Sequence, residues 1–358
     1  MRTAVLVATP VPPDLAERVK GDLLPCPDFL AVADALGAAL ITPFTSAATR
    51  IKRPGATALG LKAAWRAFRT RDQYDLIFAD SEAAGLGLAA LFKAFRIRKP
   101  LVMFGEGRAT HIGPSRWVRA LGLQTHVRLV ICPGAVNAGR YERLLGFPPH
   151  KIAFVPHPAD HRFWRPMAVE PARLVVSAVG QEYQDYPTLI EAMRESDIKL
   201  RIAGARPWQN GRKMERSYPA NVRFSRCGPT ELRELYARAI AVAVPLRGQR
   251  GGQAGSRVVY EAMAMGKAVI ATKTDGLVGL GIVHEGETGL LVDPGNVEGW
   301  RDAVRYLHEH RDVAAQMGQN ARRRVENGLN LGSYAQHVAQ RIKRIASPSQ
   351  EQPIHSRA

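Results

Sequence analysis

Two hydrophobic patterns alternate along the chain. Short apolar runs rich in β-branched residues are separated by segments whose apolar positions recur every three or four residues. In the first half the runs predict strands at Thr3–Ala8, Ala39–Thr42, Asp75–Ala79, Leu101–Phe104, Leu129–Cys132 and Ile152–Val155. Helical spacing covers Asp28–Leu36, Leu61–Arg69, Glu82–Phe95 and Asn137–Leu145. This β-α-β-α rhythm predicts a parallel sheet covered on both faces. It breaks at His157–Pro171, an aperiodic stretch rich in Pro, His and Arg that reads as a linker. Strands then resume at Leu174–Ala178, Leu200–Ala203, Val222–Phe224, Ile240–Val244, Ala268–Ala271 and Gly289–Val292. Helices fit Pro187–Arg194, Glu231–Ala239, Ser256–Met265, Val297–His308 and Val313–Val325, with Gly266 as a C-cap. The expected fold class is therefore α/β: two tandem doubly wound domains facing a cleft. The first covers residues 1–156, a linker 157–172, the second 173–345 with its last helix free to pack back on the first, and a polar tail 346–358.

The length agrees, since 358 residues exceed one ordinary core and suit two domains. A composition of 46% hydrophobic and 23% charged residues is that of a globular protein. The longest apolar stretches, Ala84–Phe92 and Ala239–Leu246, fall short of the roughly 18–20 residues that span a bilayer. The opening Met1–Ala8 runs straight into a strand, so no secretory signal is expected. Cys26, Cys132 and Cys227 are widely separated, which argues against a disulfide framework or a zinc site and for a reducing cytosol.

Charge changes the picture. Fifty Lys and Arg against 32 Asp and Glu give +18, and residues 1–165 hold 23 basic and 12 acidic side chains. Arg50–Asp72 carries seven basic residues and one acid, and Lys93–Arg119 repeats that ratio. Such a field attracts nucleic acid, anionic lipid or a phosphorylated substrate. Nucleic acid is the weakest of the three, because the basic stretches lack interleaved aromatics and any binding motif.

Common nucleotide motifs are absent. Ala8-Thr9-Pro10-Val11-Pro12-Pro13 stands where a G-x-G-x-x-G would follow the first strand, and Gly266-Lys267 lacks the upstream glycine of a P-loop. His308-Glu309-His310 lacks metal-binding spacing, and Asp80-Ser81-Glu82 is better read as a helix cap than a metal-binding D-x-D. The informative block is Arg247–Asn296, where a glycine-rich loop (Gly251-Gly252-Gln253-Ala254-Gly255-Ser256) opens a helix directly after a buried strand. Unpaired N–H groups and the positive dipole end of that helix would seat a diphosphate, with Arg247, Arg250 and Arg257 adding full charges. Glu261, one turn into an apolar segment, needs a partner such as sugar or ribose hydroxyls. A tight turn and an acid satisfied from elsewhere in the protein would explain the same residues.

From Gln253 to Gly295, with Glu261-Ala262-Met263-Ala264-Met265-Gly266-Lys267-Ala268-Val269-Ile270-Ala271-Thr272 and Glu285-Gly286-Glu287-Thr288-Gly289-Leu290-Leu291-Val292-Asp293-Pro294-Gly295, the chain closely resembles group 1 glycosyltransferases. These are the retaining, nucleotide-sugar-dependent enzymes of glycosyltransferase family 4, with two Rossmann-like domains facing a cleft (GT-B). The likeness covers about residues 75–345 and is strongest from 240 to 296. It implies a donor site at Arg247, Arg250, Gly252, Ala254, Gly255, Ser256, Arg257 and Glu261, with Glu261 on the ribose. The family's E-x7-E pattern puts Gln253 where its first acid stands, and its strand-end histidine falls nearest His111. Catalytic roles are thus implied for His111, Gln253 and Glu261. The family's Arg and Lys clamp would fall in Gln181–Tyr186, which has neither.

The resemblance implies transfer of a sugar from a nucleoside diphosphate, UDP or GDP, to a sugar or lipid-linked acceptor, with no cofactor and no metal. The expected products are polysaccharides, glycolipids or other cell-envelope glycoconjugates. The alternative is a catalytically weak or inactive nucleotide-sugar-binding partner of another transferase. In the basic segment Leu61–Arg69, Leu61, Trp65 and Phe68 share one helical face and Lys62, Arg66 and Arg69 a neighbouring one. That arrangement fits a helix on an anionic membrane, or a core helix whose cations reach solvent. The expected location is cytoplasmic, peripheral on the inner face of the plasma membrane, with no nucleic-acid partner.

Overall fold

The structure is a computed structural model. It describes the chain except residues 44–55, 108–111, 171, 173, 179–183, 204–207, 210–211, 214–217, 249–253, 280 and 347–358. The chain divides into two compact units. One holds Met1–Ala16, Pro27–Pro156 and the segment starting at Gly332; the other holds Glu17–Cys26 and His157–Leu331.

The elements of the first half are β1 (Thr3–Leu6), α1 (Leu15–Lys20), α2 (Asp28–Leu36), β2 (Ala39–Ile41), α3 (Ala56–Thr70), β3 (Leu76–Ala79), α4 (Glu82–Ala94), β4 (Leu101–Phe104), α5 (Ile112–Ala120), β5 (Leu129–Cys132), α6 (Ala135–Leu145) and β6 (Ile152–Phe154). The six strands form one parallel sheet in the order β2-β1-β3-β4-β5-β6. Every residue of β1, β3, β4 and β5 is buried. Continuous apolar runs are what strands covered on both faces require. Ser81 caps α4 by accepting the Ala84 N–H at 3.4 Å, as the sequence predicts. Helices α3 and α4 pack very closely, because a Cβ on Gly60 would lie 2.7 Å from that of Ala83.

The second half contains β7 (Leu174–Ala178), α7 (Tyr186–Ala192), β8 (Lys199–Ala203), β9 (Trp208–Gln209), β10 (Arg212–Lys213), β11 (Val222–Ser225), α8 (Pro229–Arg238), β12 (Ala241–Val244), α9 (Ser256–Ala264), β13 (Ala268–Thr272), α10 (Asp275–Gly279), β14 (Gly289–Val292), α11 (Val297–Glu309), α12 (Arg311–Glu326) and α13 (Leu331–Ala346). Its parallel sheet runs β11-β8-β7-β12-β13-β14, and β9 pairs with β10 as a small antiparallel ribbon. The segment read as a linker is packed. Phe163 and Trp164 are buried edge to face with centroids 4.8 Å apart, and Trp164 meets Tyr236 at 5.7 Å. The Arg322 guanidinium ties it down through the carbonyls of His161, Trp164 and Ala264 at 2.6–3.0 Å. Glu17–Cys26 joins the same unit: Asp22 pairs with Arg165 at 2.7 Å and Arg233 at 2.9 Å, and the Cys26 N–H donates to Asp160 at 2.7 Å.

In each sheet the order reverses at one place, between β1 and β3 in the first and between β7 and β12 in the second. Ligands of open α/β sheets bind beyond the carboxyl ends of the strands at such a switch. Those two places are where chemistry is to be sought.

Candidate functional site

In the second unit the chain leaves β12 at the switch. The Pro245 carbonyl accepts the Asp185 N–H at 3.0 Å, and the Leu246 N–H donates to the buried Thr272 hydroxyl at 2.8 Å. These bonds hold the strand end beside the start of α7. Arg247 follows, exposed to solvent. Gly255 then turns the chain into α9 with φ +79°, and a Cβ there would lie 2.6 Å from Val244 Cγ1. Only glycine meets both demands. Ala254 is half-buried beside it, Ser256 begins the helix as a buried residue, and Arg257 is exposed one position on. Arg250 and Gly252 of the sequence-derived donor site lie outside the described residues, as do Gln253 and His111 of the expected catalytic set.

Glu261 sits one turn further along α9. The residue is half-buried, but its carboxyl lies deep among protein atoms, and burial pushes its pKa up to about 7. The Arg257 charge, one helical turn away, opposes that rise, and so does Tyr236 of α8. The Tyr236 hydroxyl is buried and, among the described residues, has no hydrogen bond of good geometry, yet it lies close enough to the carboxylate to feel its charge. Burial and the Glu261 charge together hold that phenol well above its usual range. At the start of α7, the Tyr186 hydroxyl is also buried without a partner among the described residues, and burial raises it too. Buried polar groups left in this state are primed for an incoming hydroxyl or amide. Sequence reading finds Glu261 and Arg257; it misses Tyr236, whose position in α8 looks like any other apolar site.

The switch of the first unit gathers a different set. Asp80, directly after β3, accepts the Ala8 N–H at 3.0 Å. Burial pushes its carboxyl up to about 7; the charges of Asp28 and Glu106 add to the rise, while the Ala8 and Ser81 hydrogen bonds oppose it. Beside it, buried Glu82 accepts from the Tyr141 hydroxyl and the Gly107 N–H. Asn137 donates to the Glu106 carbonyl at 2.9 Å, so the backbone after β4 is pinned at both ends of one peptide. The sequence reads Asp80-Ser81-Glu82 as a helix cap, which Ser81 supplies, whereas the two acids meet Ala8, Gly107 and Tyr141, partners that only the tertiary fold brings near. Glu106 in the loop after β4 is exposed.

Residues 161–324 match the model of the glycosyl transferases group 1 family. That stretch, a little under half of the chain, is similar to group 1 glycosyltransferases. Among curated proteins, the D-inositol 3-phosphate glycosyltransferase of Corynebacterium glutamicum is 40% identical over 93 residues, 26% of this chain and 21% of that protein. The D-rhamnosyltransferase WbpZ of Pseudomonas aeruginosa is 29% identical over 179 residues, 47% of this chain and 45% of that one. The aligned part thus spans less than half the length of these relatives. Solved structures extend the likeness to the whole fold. Anabaena Alr3699/HepE, crystallised with UDP and glucose, gives a TM-score of 0.68 at 18% identity over 96% of this chain and 100% of that one. Sucrose-phosphate synthase of Thermosynechococcus elongatus gives 0.69 at 18% identity over 96% and 99%. The fold is therefore that of the GT-B class, with two Rossmann-like domains. Among the described residues, no helix is long and apolar enough to cross a membrane.

Proposed function

We propose that the protein is a retaining glycosyltransferase that moves a sugar from a nucleoside diphosphate, UDP or GDP, to an acceptor bound by the first unit. The observation that carries this reading is the raised, half-buried Glu261 on the helix that opens from a glycine-rich loop at the β7–β12 switch. A carboxylate held there accepts hydrogen bonds from a ribose diol, and each such bond offsets the cost of burying its charge. The diphosphate then lies toward the start of α9. Backbone N–H groups of that first turn, with Arg257 and Arg247, face the oxygens on which negative charge grows as the sugar leaves. UDP in the crystals of Alr3699/HepE supports a nucleotide donor. The envelope setting, a lipid-linked acceptor and a place on the inner face of the membrane extend the same proposal.

A second reading keeps donor binding and drops catalysis. It is favoured by Gln253 in place of an acid and by Gln184-Asp185-Tyr186, where no Arg or Lys stands to clamp the diphosphate. Thermal melting in the presence of UDP-, GDP- and ADP-sugars tests donor binding, and a protein that none of them stabilises is not a transferase of this kind. Release of sugar from the stabilising donor, with the anomeric configuration followed by NMR, separates the enzyme from the silent partner.

A further inference from the structure

We propose that the first unit docks on an anionic lipid bilayer through the ends of α4 and α5 and the outer side of α3, with Trp117, Phe95 and Trp65 entering the headgroup layer. This deepens the reading of a lipid-linked acceptor and is measured apart from it.

The apolar part is unusual in where it collects. Trp117 is 70% exposed, Phe95 60%, Leu61 54% and Leu121 50%. One exposed apolar side chain needs no explanation, but a contiguous group does. Trp65 stacks on Phe68 at 5.7 Å and Phe68 meets Phe95 at 4.9 Å, so an aromatic row crosses from α3 to the end of α4. Lys93 of α4 reaches the Gly122 carbonyl at 3.4 Å, which ties that end to Leu121 and the end of α5.

The charged part surrounds it. From Ala83 to Tyr141 the sequence holds nine Lys and Arg and a single acid, Glu106, which lies at the carboxyl end of β4. Lys93, Arg96, Arg98, Arg116, Arg119 and Arg128 are all exposed. They crowd one another: beyond burial, His126 is held below its usual pKa by Lys93, Arg98 and Lys151, and Lys151 in turn by Arg128. The acid at the foot of α3, Asp72, faces Arg71 at 3.5 Å. Massed cations relieve their repulsion against a polyanion. Cations alone would suit any polyanion, whereas Trp117 between Arg116 and Arg119 matches the mixed apolar and anionic chemistry of a bilayer interface.

The surface differs from the one the sequence suggests. Phe68 is buried at 8% exposure, so it supports Trp65 and does not reach lipid. Arg66 donates to the Thr42 carbonyl at 2.9 Å. Of α3, Leu61, Lys62, Trp65 and Arg69 remain exposed, and α5 takes over the larger part.

Flotation of the full chain with phosphatidylcholine vesicles, with and without about a third phosphatidylglycerol, tests this. Binding is expected only with the anionic lipid, and to fall at least about tenfold between roughly 0.05 and 0.5 M salt. The pair Trp117→Ser and Phe95→Ser should weaken binding at least about tenfold, and the pair Arg96→Glu and Arg98→Glu should abolish it, with unchanged melting. Failure of the wild type to float at low salt, or binding untouched by both pairs, overturns the proposal. Retention on heparin by a wild type that ignores vesicles assigns the cations to a soluble polyanion and overturns it equally. Donor affinity measured on the same samples keeps the transferase reading separate: a protein that binds donor but not vesicles refutes only the docking surface.

Discussion

Asp80 of the first unit and Glu261 of the second occupy comparable places. Asp80 follows β3 and Glu261 lies in the helix after β12, the two strands that flank the switch of their sheets. Both carboxyls are pushed up to about 7, mainly by burial. Their company is opposite. Acids at Asp28 and Glu106 add to the rise at Asp80, whereas Arg257 and Tyr236 oppose it at Glu261. Glu261 is thus easily driven to its charged form by donors from a ligand, and suits hydroxyl recognition. At Asp80 the Ala8 and Ser81 hydrogen bonds also oppose the rise, but its charged neighbours are acids, so it suits a neutral or cationic group better than a phosphate. One pKa conceals two chemistries, and the neighbours decide between them.

Stability against pH should show the largest effect. A carboxyl whose folded pKa is raised keeps its proton in the native chain while the unfolded chain loses it. Each therefore destabilises the fold as pH rises from about 4 to about 7, by on the order of 3 kcal/mol. Asp80→Asn and Glu261→Gln should each remove their own share, seen as denaturant melts that depend less on pH between about pH 4 and pH 7. Equal pH dependence in wild type and both variants would dissolve the comparison.

Ligand affinity should separate the two sites next. Glu261→Gln should weaken UDP or GDP by roughly 1.5–3 kcal/mol, about 10- to 150-fold, through loss of a charged hydrogen bond. Asp80→Asn should leave that affinity within about twofold. Calorimetry on both proteins checks this, and a matching loss in Asp80→Asn would mean the two acids serve one ligand.

The smallest effect concerns the neighbour. Arg257→Ala should weaken the diphosphate by about 1 kcal/mol and the free nucleoside far less. It should also move the pH midpoint of nucleotide binding upward, since the cation that opposes the rise at Glu261 is gone. An unmoved midpoint would show that Arg257 does not govern Glu261.

Much of the fold was legible because parallel strands buried on both faces leave an unmistakable trace. Leu101–Phe104, Leu129–Cys132, Leu174–Ala178 and Gly289–Val292 end where their apolar runs end. Helix α5 was not legible: Gly113-Pro114 interrupts its start, and only Val118 among its described side chains is buried, so it carries little period. Helix α13 was overlooked although Tyr334, Ala335, Val338, Ala339 and Ile342 repeat at helical spacing and are buried. Within the site, Glu261 stood out as a lone acid in an apolar helix, while Tyr236 looked like core until its hydroxyl was seen buried beside that acid.

Local order along this chain was determined by the sequence itself, since hydrophobic period, caps and glycine turns act between residues a few positions apart. That suffices for two doubly wound sheets and for the loop that opens α9. Only the tertiary structure decided that Glu17–Cys26 belongs to the second unit, because Asp22 finds Arg165 and Arg233 at separations of 143 and 211 residues. It likewise decided the company of Asp80 and Glu261. Arg257 stands one helical turn from Glu261 and is legible locally, but the burial of both carboxyls, Tyr236 and the acids around Asp80 come from packing between distant segments, which no local pattern encodes.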